Sequence, residues 1–296
     1  MSFSDEKYAI FNVEGGLGKI IASTAIAEII KNNYPDRKLI VVTPWPEPYL
    51  NNPYVYRVFR SGNHPYFYKD FVLNKDTIIF KGEPYFTSDH IQKKKHIILS
   101  WCDLFGLKYN GERSQLFFNP VEVTSVAMKY GTRPKPILIL QTSGGLYQNQ
   151  KPYCWTRDIP PVQAQMLANI LSQKYHIYHI GRPNSYKLQN VEFIPEINKR
   201  ELMSLNLSSA KRLVIDSCMQ HAAAALGLHS TVLWIGTSHI NFGYTFNNNI
   251  YPSAEKTNEH LIDSFIFDYA FDGFEHEYPF STMDIFNIDE IVRAVG

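Results

Sequence analysis

The segment Glu14–Lys19 (EGGLGK) places an acid, three glycines and a lysine directly after a short apolar run. Glycines at the start of a helix leave backbone N–H groups open to a ligand, and such groups bind phosphate or a developing anion. The spacing matches neither the dinucleotide fingerprint GxGxxG nor the P-loop. A tight turn that binds no ligand is therefore an alternative interpretation of this segment.

A second polar group lies in the segment 212–236 (RLVIDSCMQHAAAALGLHSTVLWIG). A strand is expected to bring Asp216 and Ser217 to its carboxyl end, and Gln220 and His221 then begin an alanine-rich helix. Doubly wound folds bind phosphorylated ligands where a helix begins at the end of a strand. We expect His221 to donate a hydrogen bond to a diphosphate; the alternative is a structural histidine packed beside an apolar helix.

Alternating strands and helices position both groups. In the first half, the pattern predicts a strand at 8–13, a helix at 20–31 and a strand at 38–43, which is a βαβ unit with a glycine-rich turn. The second half begins again with a strand at 136–142 that leads into Ser143 and Gly144. This repetition predicts an α/β protein with two Rossmann-like domains and a cleft between them.

Three stretches resemble the glycosyltransferase family that contains the lipopolysaccharide heptosyltransferases, glycosyltransferase family 9. The first is the start GGLGKIIASTAIAEIIKNNYPDRKLIVVT, the second is the segment 151–171 with Trp155, and the third is the segment 216–236. The third stretch, which is similar to the pattern D-S-G-x-x-H-x-A-A-A-L-G, is the most specific. The matches extend from about residue 8 to residue 236.

The resemblance implies a GT-B fold, in which two Rossmann-like domains face each other across a cleft. Residues 108–136 hold glycines and prolines and show little periodicity, so they are interpreted as a join, with a domain boundary near 125–136. The resemblance then assigns an acceptor domain to 1–130, a nucleotide-sugar domain to 131–265 and a segment that crosses back to the first domain to 266–296. It also implies inverting sugar transfer without a metal and without a resident cofactor. The nucleotide-sugar co-substrate is expected to be UDP-linked.

This chain departs from the family in three places. Lys19 stands where the family has the aspartate thought to act as the base, and Cys218 replaces the glycine after Asp-Ser. The aromatic, asparagine-rich stretch 44–90 is unlike that of the usual members and resembles proteins of tailed phages. Some such phages attach sugars to hydroxymethylated pyrimidines of their own DNA.

Inverting transfer needs a base, groups that stabilise the leaving diphosphate and a cleft that aligns the acceptor. For the base we expect Glu14, with Asp103, Asp89 and His64 as alternatives. The full catalytic set is Glu14, Lys19 and His221. The donor-binding set is Gly16, Gly18, Thr142, Ser143, Gly144, Trp155, Arg157, Arg182, Asp216, Ser217 and Gln220. The acceptor-binding set is Trp45, His64, Tyr66, Tyr68 and Lys94.

The acceptor is the open question. Residues 1–130 hold 16 basic and 13 acidic residues, and the run Lys93–His96 is locally basic, which would permit double-stranded DNA as a partner. Exposed aromatic rings between residues 44 and 86 could stack on a flipped, hydroxymethylated base. The alternatives are a glycan or lipopolysaccharide-type acceptor, and a non-catalytic module that binds nucleotide-sugars. A Rossmann-type oxidoreductase is disfavoured, because the glycine spacing does not fit.

Composition excludes several other classes. The 296 residues are 45% hydrophobic and have a net charge of +1, which excludes a disordered chain and a uniformly basic nucleic-acid coat. The three cysteines have no CxxC spacing and indicate reduced thiols rather than a zinc site. Neither a signal peptide nor a membrane span is evident, so the protein is expected in the cytoplasm, that of the host if a phage encodes it. No metal site is expected.

Overall fold

The computed structural model describes residues 6–144, 153–183, 185–194, 197–256, 278 and 280–296. The chain forms two compact units, Met1–Asn119 and Pro120–Gly296. The division lies before a helix at Pro120–Tyr130, whereas the sequence predicts a boundary after it.

The described elements of the first unit alternate between strands and helices. The strands are β1 (Lys7–Asn12), β2 (Lys38–Thr43), β3 (Arg57–Arg60) and β4 (Asp76–Lys81). The helices are α1 (Leu17–Ala22), α2 (Thr24–Asn33), α3 (Phe67–Phe71), α4 (Ser88–Ile91) and α5 (Ile97–Phe105). Short 3₁₀ turns lie at Glu47–Tyr49 and Pro84–Phe86.

The strands of the first unit form a parallel sheet in the order β3-β2-β1-β4. The chain moves outward from β1 through β2 and β3, and β4 then pairs with the other side of β1. Two parallel strands whose connections leave in opposite directions open a crevice at their carboxyl ends, where ligands of such sheets bind. In this unit the crevice lies between β1 and β4.

The second unit repeats this plan at larger size. Its described strands are β5 (Ile137–Gln141), β6 (His176–Ile180), β7 (Glu192–Ile194), β8 (Lys211–Ile215), β9 (Thr231–Leu233) and β10 (Asn248–Ile250). Its described helices are α6 (Pro120–Tyr130), α7 (Pro161–Leu171), α8 (Lys199–Ser204), α9 (Cys218–Ala225), α10 (His239–Phe242) and α11 (Ile288–Val295). Further 3₁₀ turns lie at Leu205–Ser208 and Ala254–Lys256.

Over the described residues, the second sheet is parallel and has the order β10-β9-β8-β5-β6-β7. Strand β5 is buried at every position, as expected for a strand covered on both faces. The chain leaves β5 towards β6 and β7 and then returns to β8 on the other side. The crevice of this sheet therefore lies between the carboxyl ends of β5 and β8.

Helix α6 corrects one sequence interpretation, which treated residues 108–136 as a join without strong periodicity. Only Val126 and Tyr130 of this helix are buried, so its apolar pattern is weak. Polar contacts fix it instead, because Arg200 forms hydrogen bonds of 2.7 and 2.8 Å with the two carboxylate oxygens of Glu122.

The predicted crossing segment 266–296 lies partly outside the described residues, since 257–277 and 279 are not described. Within the described part, helix α11 packs on α7, and Gln163 donates hydrogen bonds to Asp284 and to the Phe286 carbonyl. These contacts are internal to the second unit. Across the described ranges, no helix has the length and apolar character that crossing a bilayer requires.

Candidate functional site

The crevice between β5 and β8 brings the first two groups of predicted site residues together. Gly144 follows β5 and Ser217 follows β8, and a Cβ atom placed on Gly144 would lie 3.0 Å from Ser217 Oγ. Ser217 is also the N-cap residue of α9, so the amino end of this helix lies at this edge of the sheet. Backbone N–H groups of a helix start are thus available beside the Gly144 turn.

A buried carboxylate, Asp158, ties the residues around this crevice to one another. Its Oδ1 accepts a hydrogen bond of 3.1 Å from the Gly144 N–H, and its Oδ2 accepts one of 3.0 Å from the Cys154 N–H. Arg182, which follows β6, reaches the same Oδ2 at 3.4 Å. Asp158 therefore connects the turn after β5, the segment before α7 and the arginine after β6.

Burial raises the pKa of Asp158 to about 7. Arg182, the two backbone N–H groups and Arg157 act in the opposite direction, but they do not overcome the loss of hydration. Asp158 is therefore poised between its neutral and charged forms near neutral pH. When the carboxyl group is neutral, it no longer offsets the positive charges of Arg157 and Arg182.

His221 lies one helical turn into this edge of the sheet. Its Nδ1 is 2.9 Å from the Tyr244 hydroxyl, and its Nε2 is 3.8 Å from Asp216 Oδ1, beyond hydrogen-bonding distance. Burial lowers the pKa of His221 to about 4, against the attraction of Asp216 and together with the repulsion of Arg157. The imidazole is therefore neutral at physiological pH and has a single N–H to donate.

Other predicted donor residues make hydrogen bonds inside the protein. Thr142 Oγ1 pairs with His179 Nε2 at 2.7 Å, and Ser143 Oγ pairs with Ser185 Oγ at 2.9 Å. Gln220 donates to Asp216 at 2.7 Å. These three side chains therefore stabilise the carboxyl edge of the sheet through hydrogen bonds to other side chains.

Trp155, a predicted donor-binding residue, is half-buried beside the apolar core of the second unit. It packs edge-on against Tyr278 and Phe280, with ring centroids 6.3 Å apart in each pair. Both contacts join it to the rim of the apolar core of the second unit. A core tryptophan is the other interpretation of this residue, and its donor-binding role stays a prediction.

In the first unit, the glycine turn lies at the crevice between β1 and β4. Glu14 and Gly16 are exposed, and Gly18 lies inside α1. Gly15 has a φ of +126°, and a Cβ atom there would lie 2.7 Å from the Lys19 side chain, so this position requires glycine. Lys19 forms an ion pair with Glu83, a residue that the sequence interpretation did not include.

The two glycines Gly144 and Gly16 give a paired prediction. Gly144→Ala brings a methyl group within 3.0–3.3 Å of Ser217 and Ile215, so we expect the unfolding free energy to fall by about 1–3 kcal/mol. Gly16→Ala meets no atom within 4 Å and keeps an ordinary φ of −72°. We expect that variant to unfold within about 0.5 kcal/mol of the wild type. Denaturant titration of both variants checks this, and equal losses would contradict it.

The predicted acceptor residues differ in exposure. Tyr66 and Tyr68 are 73% and 63% exposed, and Phe86 is 76% exposed. Trp45 is half-buried, and His64 Nε2 contacts the Arg60 carbonyl beside the Phe59 ring. All of these residues follow strands β2, β3 or β4 and so lie at the carboxyl edge of the first sheet.

Part of the aromatic stretch 44–90 is buried in the first unit. Tyr49, Phe71 and Phe80 are buried, and Phe59, Phe67 and Phe71 contact one another edge-on. The aromatic composition therefore divides into a packed cluster and an exposed set.

Lys95, in the basic run Lys93–His96, contacts two of the acids that are alternative candidates for the base. Lys95 Nζ lies 2.8 Å from Asp89 and 2.6 Å from Asp103, so both acids and this lysine compensate one another. Lys94 is exposed beside them. This compensation weakens the case for a DNA-binding basic patch and for either aspartate as the base.

Sequence reasoning missed Asp158, Tyr244, His179 and Glu83. Asp158 is adjacent to Arg157, which was a candidate, but an isolated acid in a loop carries no pattern. Tyr244 and Glu83 reach their partners only through the fold, 23 and 64 residues along the chain. In the described part of the chain, no group of three or more His, Cys, Asp or Glu side chains could hold a metal ion.

The solved structures similar to this chain include glycosyltransferases. A glycosyl transferase family 9 protein from Veillonella parvula DSM 2008 has a TM-score of 0.68 at 11% identity, over 99% of this chain and 97% of that one. The ADP-heptose lipopolysaccharide heptosyltransferase II of E. coli has a TM-score of 0.60 at 12% identity, over 82% and 89%. The E. coli heptosyltransferase WaaC with ADP has a TM-score of 0.56 at 11% identity, over 83% and 93%.

No protein-family model matches the sequence. No curated protein matches it either. At these identities the solved structures establish the fold, and they confirm the prediction of an α/β protein with Rossmann-like units of the GT-B class.

Proposed function

We propose that this protein is an inverting glycosyltransferase that moves a sugar from a nucleoside diphosphate to a hydroxyl group of a glycan. The observation that carries the proposal is the convergence at the β5–β8 crevice of a glycine turn, two arginines, a helix start and a neutral histidine. This combination provides positive charge and N–H donors at the place where sheets of this class bind phosphorylated ligands. Similarity to solved glycosyltransferases supports it.

The donor diphosphate would lie at this edge of the second sheet. Arg157 and Arg182 would compensate its charge, and the first N–H groups of α9 would bind its oxygens. His221 would donate one hydrogen bond to the leaving phosphate. These groups supply the stabilisation that a divalent cation provides in other enzymes, so we propose a reaction without a metal, and EDTA should leave the rate unchanged.

We propose an ADP-linked donor before the UDP-linked one that the sequence suggested. Support comes from the similar structures, of which one contains ADP and another, the E. coli TibC heptosyltransferase, contains ADP-D-beta-D-heptose. The purine itself would be recognised by residues outside the groups described above. The test of the donor proposal therefore compares several nucleoside diphosphates.

For the acceptor we propose a glycan rather than hydroxymethylated DNA. One of the similar structures is a lipopolysaccharide heptosyltransferase, and the Lys93–His96 run is compensated at Lys95. Exposed rings such as Tyr66, Tyr68 and Phe86 suit the apolar faces of sugars at the carboxyl edge of the first sheet. Duplex DNA that contains hydroxymethylcytosine remains a necessary arm of any acceptor assay.

Ligand-induced stabilisation tests the donor proposal. ADP, UDP, GDP and their sugars are added to the protein at increasing concentration, with NAD as the comparison, and the melting temperature is recorded. A ligand at 100 times its Kd stabilises the folded state by about 2.7 kcal/mol. We expect one nucleoside diphosphate series to raise the melting temperature and NAD to have no effect. Stabilisation by NAD alone would contradict the proposal.

A further inference from the structure

We propose that Glu83 is the general base of the transfer reaction and that Lys19 is the residue that positions it. The inference rests on the proposed function, since it assigns the proton acceptor for that reaction. It differs from the expectation that Glu14 is the base.

Glu83 lies at the ligand-binding edge of the first sheet. It follows β4 by two residues, and Lys19 lies on the helix that follows β1. Because β1 and β4 are neighbours whose connections leave in opposite directions, both residues border the crevice of this sheet. The pair thus occupies the place where a substrate of this unit is expected.

The two members of the Lys19–Glu83 ion pair differ in their exposure to solvent. Lys19 Nζ lies 2.7 and 2.5 Å from the two oxygens of Glu83. The Lys19 side chain is 7% exposed, whereas the Glu83 side chain is 37% exposed. The Lys19 ammonium group therefore contacts the Glu83 carboxylate from the protein interior, and the carboxylate is partly exposed to solvent.

Aromatic rings fix the lysine itself. Its Nζ lies 4.4 Å from the centre of the Tyr85 ring and 5.8 Å from that of Trp101. Burial lowers the pKa of Lys19, and the adjacent Glu83 followed by Glu14 opposes that effect. A lysine enclosed in this way orients its partner and is poorly placed to receive a substrate.

The carboxylate has capacity for a further hydrogen bond. Two oxygens offer about four acceptor positions, and the bonds described are those from Lys19 and one of 3.3 Å from the Tyr85 N–H. An acceptor hydroxyl can therefore donate to Glu83 from the solvent side. Geometry of this kind is the first requirement for a general base.

The proposed step balances as follows. The acceptor oxygen forms a bond to the anomeric carbon while its proton passes to the Glu83 carboxylate. The bond between the anomeric carbon and the phosphate oxygen breaks, and its electron pair leaves with the nucleoside diphosphate. The proton then passes from Glu83 to solvent.

Neighbouring acids fit this role less well. Glu14 is exposed and, among the described residues, makes no hydrogen bond that would hold it in one orientation. Asp89 and Asp103 share Lys95 at the surface. Of these acids, Glu83 is the one whose orientation a buried cation fixes at the crevice.

Release of nucleoside diphosphate from ADP-, UDP- and GDP-sugars tests the assignment, with water as the acceptor when no glycan is present. We expect Glu83→Gln to lower the rate by about 100-fold or more, with the nucleotide-induced melting shift retained. Glu6→Gln is the matched control. Glu6 pairs with Lys75 at 2.6 Å, is 42% exposed and lies at the opposite edge of the same two strands. It should keep the wild-type rate.

Chemical rescue separates proton transfer from a structural role. Formate should restore part of the rate of Glu83→Ala, because a small carboxylate can occupy the space left by the side chain, and it should not act on the wild type. Lys19→Met should lower the rate while Lys19→Arg retains part of it. Release by the wild type together with a near-normal rate for Glu83→Gln would overturn the inference alone. No release from any sugar nucleotide by the wild type would overturn the proposed function and, with it, this assignment.

Discussion

Asp158→Ala is expected to lower the free energy of unfolding by about 2–5 kcal/mol, because two backbone N–H groups in the protein interior lose their acceptor. The substitution removes the acceptor of the Gly144 and Cys154 N–H groups and the partner of Arg182. Buried donors that lose an acceptor each cost about 1–3 kcal/mol. Asp158→Asn keeps the shape and one acceptor oxygen, so we expect about half of the loss. Urea titration at pH 5.5, where the Asp158 carboxyl group is neutral in the folded protein, measures both.

The pH dependence gives an independent check on Asp158. Its pKa in the folded state, about 7, lies above the ordinary value of 3.8. Between these values the folded state binds more protons than the unfolded state, so the contribution of Asp158 to stability decreases as pH rises towards 7. Asp158→Asn should remove this component. A variant with the same pH profile as the wild type would contradict the burial of a titrating carboxyl group.

The same titration should affect ligand binding. Below pH 7 the neutral form of Asp158 no longer offsets the charges of Arg157 and Arg182, so the surroundings of the proposed diphosphate become more positive. We therefore expect the nucleoside diphosphate to bind more tightly at pH 6 than at pH 8, and the difference to disappear in Asp158→Asn. Calorimetric titration at the two pH values measures it.

His221→Ala is expected to lower kcat/KM for the sugar nucleotide by tenfold or more, which corresponds to about 1.4 kcal/mol of transition-state stabilisation. The neutral imidazole has one N–H, and the assigned role requires the tautomer in which the Tyr244 hydroxyl donates to Nδ1 and the proton is on Nε2. That N–H can donate to the leaving phosphate. Tyr244→Phe should have a smaller effect in the same direction, since it changes only the tautomer preference.

A control and a pH profile accompany the His221 variant. His229 lies at the amino edge of the same sheet, where Nδ1 contacts the Phe246 carbonyl, and His229→Ala should leave kcat/KM unchanged. Because the pKa of His221 is about 4, this residue should not titrate between pH 5.5 and 8. Equal losses in the two histidine variants would contradict the assigned role.

The sequence was sufficient to predict the βαβ order, because parallel strands buried on both faces appear as continuous apolar runs. Strand β2 begins and ends as predicted at Lys38–Thr43. Helix α6 and strand β10 escaped detection, the first because most of its surface is exposed and the second because it is the three-residue edge strand Asn248–Ile250. Periodicity reports burial, and elements with little buried surface leave little pattern.

The residues of the candidate site likewise divide into those that could be predicted from the sequence and those that could not. Residues that follow strands, such as Asp216, Gly144 and Arg182, could be placed at one edge of the sheet from sequence, since parallel strands end together. Partners that the fold brings from a distance could not be found in this way. Lys19 in place of an acid raised the question of the base, and only the pairing of Lys19 with Glu83 across 64 residues offers an answer.

The most direct test of the account is the release of nucleoside diphosphate from ADP-, UDP- and GDP-sugars by the wild-type protein, with a glycan mixture or hydroxymethylcytosine DNA as acceptor. We predict release from one sugar nucleotide, acceleration by the glycan and a loss of at least tenfold in Arg182→Ala. Binding of a sugar nucleotide without release under every condition would show a non-catalytic binding module and contradict the central claim.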